Sequence, residues 1–551
     1  MNDPALNPSP CTQEEDRRGG SSALSVQRSA FARRRSSRRA LLMLGCVSLS
    51  LCVLCSCEVG PNYKRPQQHL PTTFRAATTQ ELAQPRLAQD WWKLFNDAQL
   101  NQLEDQARQA NPGVVAAMER VVQARSQAGI AKSQLYPYVS FDPSFDRSRS
   151  PGGTSSTFVN NGSSGASGGG TNTGGGGTTT GGGTTTSGSG HSSSGSHART
   201  GDVISIPFDV SYEVDIWGKI RRNYEVAQAT AFASADDYEV VLQTLEADVA
   251  SDYFALCLYD AQIDIYKQTV ESYQSQLKLT RQQQKAGLVG QTDVAQAQTE
   301  LDSTLTEEIE AERDREDEVI AIAILLDKPP AEFSIPSRKL NQIPPQVPAG
   351  LSGNLLERRP DVKEAEENLI AANADIGVAI GTALPSLTLT GSGGFESTHV
   401  ADALNWSQRA WSLGAGVTAP IFEGGLLKYG IEEARAKYME LVATYRVAVL
   451  QALADVENSL TDLHRRAEEA QAQTAAVHDA QEYLRYSNVQ YRQGLISYLQ
   501  IIDAERTLLT NELAAAQILN ERLTSTVLLI KALGGGWEAR QATTQPIKLK
   551  T

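Results

Sequence analysis

The residue types that most often carry chemistry are few in this chain, and their spacing excludes most reactions. Six histidines, His69, His191, His197, His399, His464 and His478, fall nowhere at metal-ligand spacing. No nucleophile stands beside a local base, so neither an enzyme nor a cofactor is expected. Gly534, Gly535 and Gly536 suggest a phosphate loop, but no Lys-Ser/Thr pair or following helix completes one, and a helix stop fits better. Leu499, Asp503 and Arg506, within "YRQGLISYLQIIDAER", fall at i, i+4 and i+7, which is one face of a helix. Taken alone, Asp503 and Arg506 make an ordinary exposed pair worth roughly a few tenths of a kcal/mol.

The cysteines carry a different chemistry. Five of the six (Cys11, Cys46, Cys52, Cys55, Cys57) lie in or before an apolar stretch, Ala40 to Ser56, that follows the basic run "RRRSSRR". That order reads as a signal segment, with a twin-arginine reading of "SRRALLM" open beside the ordinary secretory one. "LCSC", Leu54 to Cys57, resembles a bacterial lipobox: an aliphatic residue at minus three, small residues at minus two and minus one, then the cysteine that is lipidated. An uncleaved signal anchor is the alternative. Cleavage at Cys57, the cysteine that takes the lipid, leaves Cys257 as the one possible thiol, inside an apolar helical pattern that usually means packing. Glu58 in the next position leans toward the outer membrane.

The elements that position these residues come as one unit written twice. Pro112/Pro360, Val114/Val362, Glu119/Glu367, Gly129/Gly377 and Pro137/Pro385 match at an offset of 248; Gly218/Gly425, Asp248/Asp455, Gly287/Gly494 and Leu301/Leu508 match at 207. The offsets differ by 41, and the surplus lies where a Gly/Ser/Thr-rich tract, 168 to 190, interrupts the first copy. The tract is therefore an insertion within one repeat rather than a joint between two. Each copy reads helix, strand, strand, helix, helix. In "VISIPFDVSYEV" Ile204, Ile206, Phe208, Val210, Tyr212 and Val214 alternate with polar residues, and the other three strands alternate likewise. Alternating segments of about ten residues are the signature of a membrane β-barrel, yet four cannot close one, since the smallest need about eight. The chain is thus expected to oligomerise. Apolar spacing of three and four predicts helices over about 219–286 and 425–493, each on the order of 100 Å long, and shorter ones over about 98–133 and 289–328. A net charge of -14 and a pI near 5.1 argue against nucleic acid as a partner.

Together "CEVGPNYKRP", "WWKLFND", "SYEVDIWGKIRR", "ERRPDVKEAE", "APIFEGG", "YRQGLISYLQIIDAERTLL" and "KALGGGW" resemble the outer-membrane factors of tripartite efflux systems, TolC/OprM-like lipoproteins. The resemblance covers nearly the whole mature chain. It implies an α+β membrane protein: a homotrimer whose twelve-stranded barrel takes four strands per chain and continues into a long α-helical periplasmic tunnel. It implies a lipid on Cys57, and as partners a periplasmic adaptor and an inner-membrane RND-type transporter that drives passive export. Leu499, Asp503 and Arg506 match the family's periplasmic gate, and Gly287 and Gly494 its helix-turn tips. In the first copy Thr292 stands where Leu499 does and Gln296 where Asp503 does, so the tips are not equivalent.

The expected organisation is a signal peptide with basic extension (1–56), a lipidated segment leading into the first helix (57–110), a first repeat (111–330), a connector (331–358), a second repeat (359–537) and a polar tail (538–551). Strands are expected at about 138–147 and 202–214, joined by an extracellular loop 148–201, and at about 385–397 and 410–422. The alternative is a lipid-anchored periplasmic adaptor or a structural coiled-coil protein. An adaptor would have one helical hairpin between split lipoyl-like halves, which two similar copies with a strand pair each do not match.

Overall fold

The computed structural model describes residues 58–68, 71, 73–75, 88–150, 199–340, 342–347 and 358–537. The signal segment, Cys57, residues 151–198 of the loop, part of the connector and the tail lie outside the described residues. Helices and sheet form two compact units, divided near residues 128, 214, 384 and 421.

The helical unit holds α1 (Ala98–Ala110), α2 (Pro112–Ser133), α3 (Lys219–Lys285), α4 (Gln291–Leu325), α5 (Pro360–Thr382), α6 (Leu426–Arg492) and α7 (Tyr498–Ala532). The repeat is visible in the lengths: α3 and α6 have 67 residues each, α4 and α7 have 35 each. The single helix expected over 98–133 is two. Asn111 accepts from the Gly113 and Val114 amides while its own amide closes α1 on the Ala107 carbonyl, and Pro112 begins α2. At the other end, α7 stops at Ala532 because Gly534, Gly535 and Gly536 all adopt positive φ. The main core joins Trp91, Trp92 and Phe95 to Tyr253, Phe254 and Val527, with Cys257 packed among them. Burial pushes the Cys257 thiol up to about 12, so it stays a neutral packing group.

The second unit is a sheet of order β1-β3-β4-β5, antiparallel throughout, with β2 also on β3. Its strands are β1 (Tyr138–Phe141), β2 (Ser144–Ser150), β3 (Arg199–Val214), β4 (Ser386–Ser397) and β5 (Arg409–Thr418). β1 and β2 keep one register against β3, from Tyr138 opposite Ser211 to Ser150 opposite Arg199. They are one strand interrupted between the Phe141–Phe208 and Ser144–Ser205 pairs, where Pro143 on this strand and Pro207 on β3, both without an N–H, fall one register step apart. β5 stops at Thr418 instead of reaching 422, because Pro420 cannot donate to a ladder and Gly424 and Gly425 turn the chain at positive φ.

Register places the apolar side chains of all strands on one face. Phe208 stands opposite Phe141 and Gly393, and Gly393 opposite Trp411; Val139, Val210, Gly391 and Leu413 form the next row. The other face carries Ser140, Asp209, Ser392 and Ser412. The apolar face is uncovered: Phe208 is 56% exposed, Trp411 74% and Leu413 81%. No helix among the described residues is long and apolar enough to cross a membrane.

Candidate functional site

Two helical hairpins, α3–α4 and α6–α7, turn in the same way. Gly287 and Gly494 adopt φ of 74° and 75°, and the amides of Leu288 and Leu495 close back on the Gln283 and Gln490 carbonyls, both at 2.9 Å. This is the left-handed helix end that favours glycine. Each new helix is then capped from its third residue: Asp293 accepts from the Gly290 amide at 2.9 Å and Gln500 from the Ser497 amide at 3.3 Å. A small apolar cluster of Leu277, Ala297, Tyr498, Ile501 and Ile502 ties the two hairpins together, and Tyr491 donates to Gln283 across them at 2.8 Å.

Above this cluster α7 has two unlike faces. Leu499, Asp503 and Arg506 are exposed, Leu499 by 57%; Tyr498, Ile501, Ile502, Glu505 and Leu509 are buried. The structure therefore brings the three expected residues onto one open face, but it does not pair Asp503 with Arg506. Asp503 accepts a hydrogen bond from the Tyr483 hydroxyl of α6 at 3.1 Å, while Arg506 Nε lies 3.9 Å from Glu300 of α4. Each charge reaches outward to a neighbouring helix, Asp503 to α6 and Arg506 to α4. Tyr483 and Glu300 are partners of the candidate site that spacing within one helix does not supply. Glu505 carried a signal in hindsight: it interrupts an otherwise apolar stripe at helical spacing.

The segment that follows Cys57 is pinned to helices of both repeats. The Val59 amide donates to the Trp217 carbonyl at 2.9 Å, Arg222 of α3 donates to Asn62 at 2.7 Å, and Asn373 of α5 donates to the Pro61 carbonyl at 2.8 Å. Arg65 grips Glu366 of α5 with two guanidinium nitrogens. Gly60 and Gly377 let the backbones meet: a Cβ on Gly377 would stand 2.7 Å from the Val59 carbonyl oxygen. At the start of α5, Arg359 bridges Asp361 and Asp455 and also donates to the Ala532 carbonyl, which locks the "RRPD" turn to α6 and α7. Among the described residues no group of acidic, histidine or cysteine side chains is arranged to hold a metal.

Residues 103–327 and 351–535 match the family model described as Outer membrane efflux protein. A probable efflux pump outer membrane protein, TtgC of Pseudomonas putida, is 28% identical over 490 residues, spanning 88% of this chain and 94% of the relative. The pyoverdine export outer membrane protein OpmQ of Pseudomonas aeruginosa is 29% identical over 450 residues, 82% and 88% of the two chains. Among solved structures, the outer-membrane channel OprN superposes with a TM-score of 0.77 at 26% identity, over 87% of this chain and 100% of that one. The CmeC outer membrane channel of Campylobacter jejuni gives 0.74 at 24% identity, over 88% and 96%. The chain belongs to the outer membrane efflux protein family, a family of channels rather than enzymes, and it has the fold of an outer-membrane channel.

Proposed function

We propose that the chain is the passive exit duct of a tripartite efflux pump for small molecules, acting as a homotrimer. Three four-stranded sheets close a twelve-stranded barrel in the outer membrane, and the helices build a periplasmic tunnel. The observation that carries this reading is the sheet. Among the described residues neither the β1/β2 strand nor β5 has a further strand on its outer side, and one face carries an apolar band that runs across all the strands, through Phe141, Phe208, Gly393 and Trp411 and through Val139, Val210, Gly391 and Leu413. In lipid an open edge leaves backbone groups unsatisfied at roughly several kcal/mol each, so the edges must meet those of identical copies. The pinned segment 58–68 supports a lipid at Cys57 that moors each copy. The exposed face of α7 supports a periplasmic gate in which Leu499 gives an apolar ring, and Asp503 and Arg506 give charges beyond it. Gly287 and Gly494 are the tips that meet a periplasmic adaptor, through which an inner-membrane RND-type transporter supplies the energy.

The test is the oligomer. Unboiled protein in mild detergent is expected to migrate as a trimer that collapses to one chain on heating, and the mass of the unheated complex should be three times that of the chain. A monomer that leaves the membrane without detergent overturns the proposal.

A further inference from the structure

We infer that Glu505 is a positioning residue for the aperture: its carboxyl, set in the seam between the two hairpins, holds the Leu499, Asp503 and Arg506 face in place while neutral and loosens it on ionising. The inference rests on the aperture reading proposed above and names its regulation.

Glu505 is 5% exposed, on the face of α7 turned away from the three aperture residues and toward α3. Its Oε1 accepts a hydrogen bond from Ser272 of α3 at 2.8 Å, across 233 positions of sequence and from one repeat to the other. Its Oε2 is buried without a hydrogen-bond partner, and so is the hydroxyl of Tyr273, the residue after Ser272. A carboxylate with one oxygen dry and unpaired costs more there than the neutral carboxylic acid does. Burial accordingly pushes the Glu505 carboxyl up to about 7, against a smaller opposing effect of the Ser272 hydrogen bond.

Among the described residues no cation pairs with the Glu505 carboxyl, and its neighbour Arg506 lies on the exposed face toward Glu300. From α3 come Ser272, Tyr273 and, further along, Thr280; from α4 comes Glu300, itself facing Arg506 at 3.9 Å. Burial and the nearby Glu505 raise the Tyr273 and Tyr498 phenols above the ordinary range, so both stay neutral. On α6, Tyr483 is committed to Asp503, Glu482 and Arg485 pair with each other, and His478 and Asp479 are exposed. The Glu505 carboxyl therefore titrates between two hairpins whose relative position sets the opening.

The sign follows from linkage. A carboxyl raised from its ordinary 4.5 to about 7 favours the packed seam fully below about pH 4.5 and loses that contribution as pH rises through about 7. Between about pH 5.5 and about pH 8 the closed-to-open ratio should fall on the order of tenfold.

Single-channel recording of the detergent-purified full-length oligomer in planar bilayers, at about pH 5.5 and about pH 8, reads this directly. Open events should be more frequent at the higher pH, and Glu505→Gln, which keeps the shape of the neutral acid, should hold the low-pH behaviour at both. A wild-type channel with no pH dependence overturns the inference, as does a Glu505→Gln channel that keeps it. Asp503→Ala run in parallel separates the two readings: if it changes conductance while the pH profile is flat, the aperture stands and the Glu505 role falls. Amide exchange of the wild-type oligomer over residues 498–510, corrected for the intrinsic rate, gives an answer without a variant. Faster exchange above about pH 7 supports the seam, and an unchanged rate refutes it.

Discussion

Asp503 and Arg506 are a case of two opposite charges one turn apart that choose other partners. Asp503 takes the Tyr483 hydroxyl and Arg506 approaches Glu300, so each fastens α7 to a different helix. Exposed contacts of this kind are worth about 0.5 kcal/mol each, roughly a twofold change in an equilibrium. Asp503→Ala and Arg506→Ala are therefore expected to raise mean conductance about twofold in planar bilayers, and unchanged conductance in both would remove the gate assignment. Tyr483→Phe, which deletes only the hydroxyl, should act in the direction of Asp503→Ala. Spacing was enough to put Leu499, Asp503 and Arg506 on one face, since a helix fixes that internally. It could not supply Tyr483, Glu300 or Ser272, whose approach depends on how separate helices settle along one another.

At the scale of elements, proline and glycine decide where the regular pattern stops. The alternation of 202–214 and 386–397 was readable because each pleat shows one side chain per face. The breaks at Asp142–Pro143 and after Thr418, and the division of 98–133 at Asn111, came from residues that cannot donate or that cap better than they continue. The close pass of 58–68 over α5 has no periodic signal at all, because it depends on Gly60 and Gly377 meeting across more than three hundred positions. A Cβ at Gly377 would stand 2.7 Å from the Val59 carbonyl oxygen and 2.9 Å from Arg222 Cγ. Gly377→Ala should thus cost about 1–3 kcal/mol as overpacking. The expected outcome is a lower denaturant midpoint together with faster tryptic cleavage after Lys64; an unchanged cleavage rate would mean that the segment is held by its hydrogen bonds alone.

For the whole molecule, the uncovered apolar sheet face sets the solvent the protein needs. Leu413, 81% exposed and level with Gly391 in the sheet, is a side chain that water penalises and hydrocarbon accepts. Leu413→Arg is expected to destabilise the membrane-inserted form by about 2–4 kcal/mol if the position lies near the bilayer midplane. The yield of heat-resistant oligomer should fall accordingly, while Ser412→Arg on the opposite face should be tolerated. Equal yields for the two variants would contradict the assignment of faces.

The fastened segment would also limit how far the lipid proposed for Cys57 can roam. Val59 is held to the Trp217 carbonyl, and a chain gains at most about 3.6 Å of reach per residue, so two residues of slack ahead of Val59 allow about 7 Å. So short a leash would act as a depth gauge, fixing the level at which the polypeptide rides against the inner leaflet. Spacer residues added after Glu58 would lengthen it and let the protein ride higher or lower, with every contact of the folded chain intact.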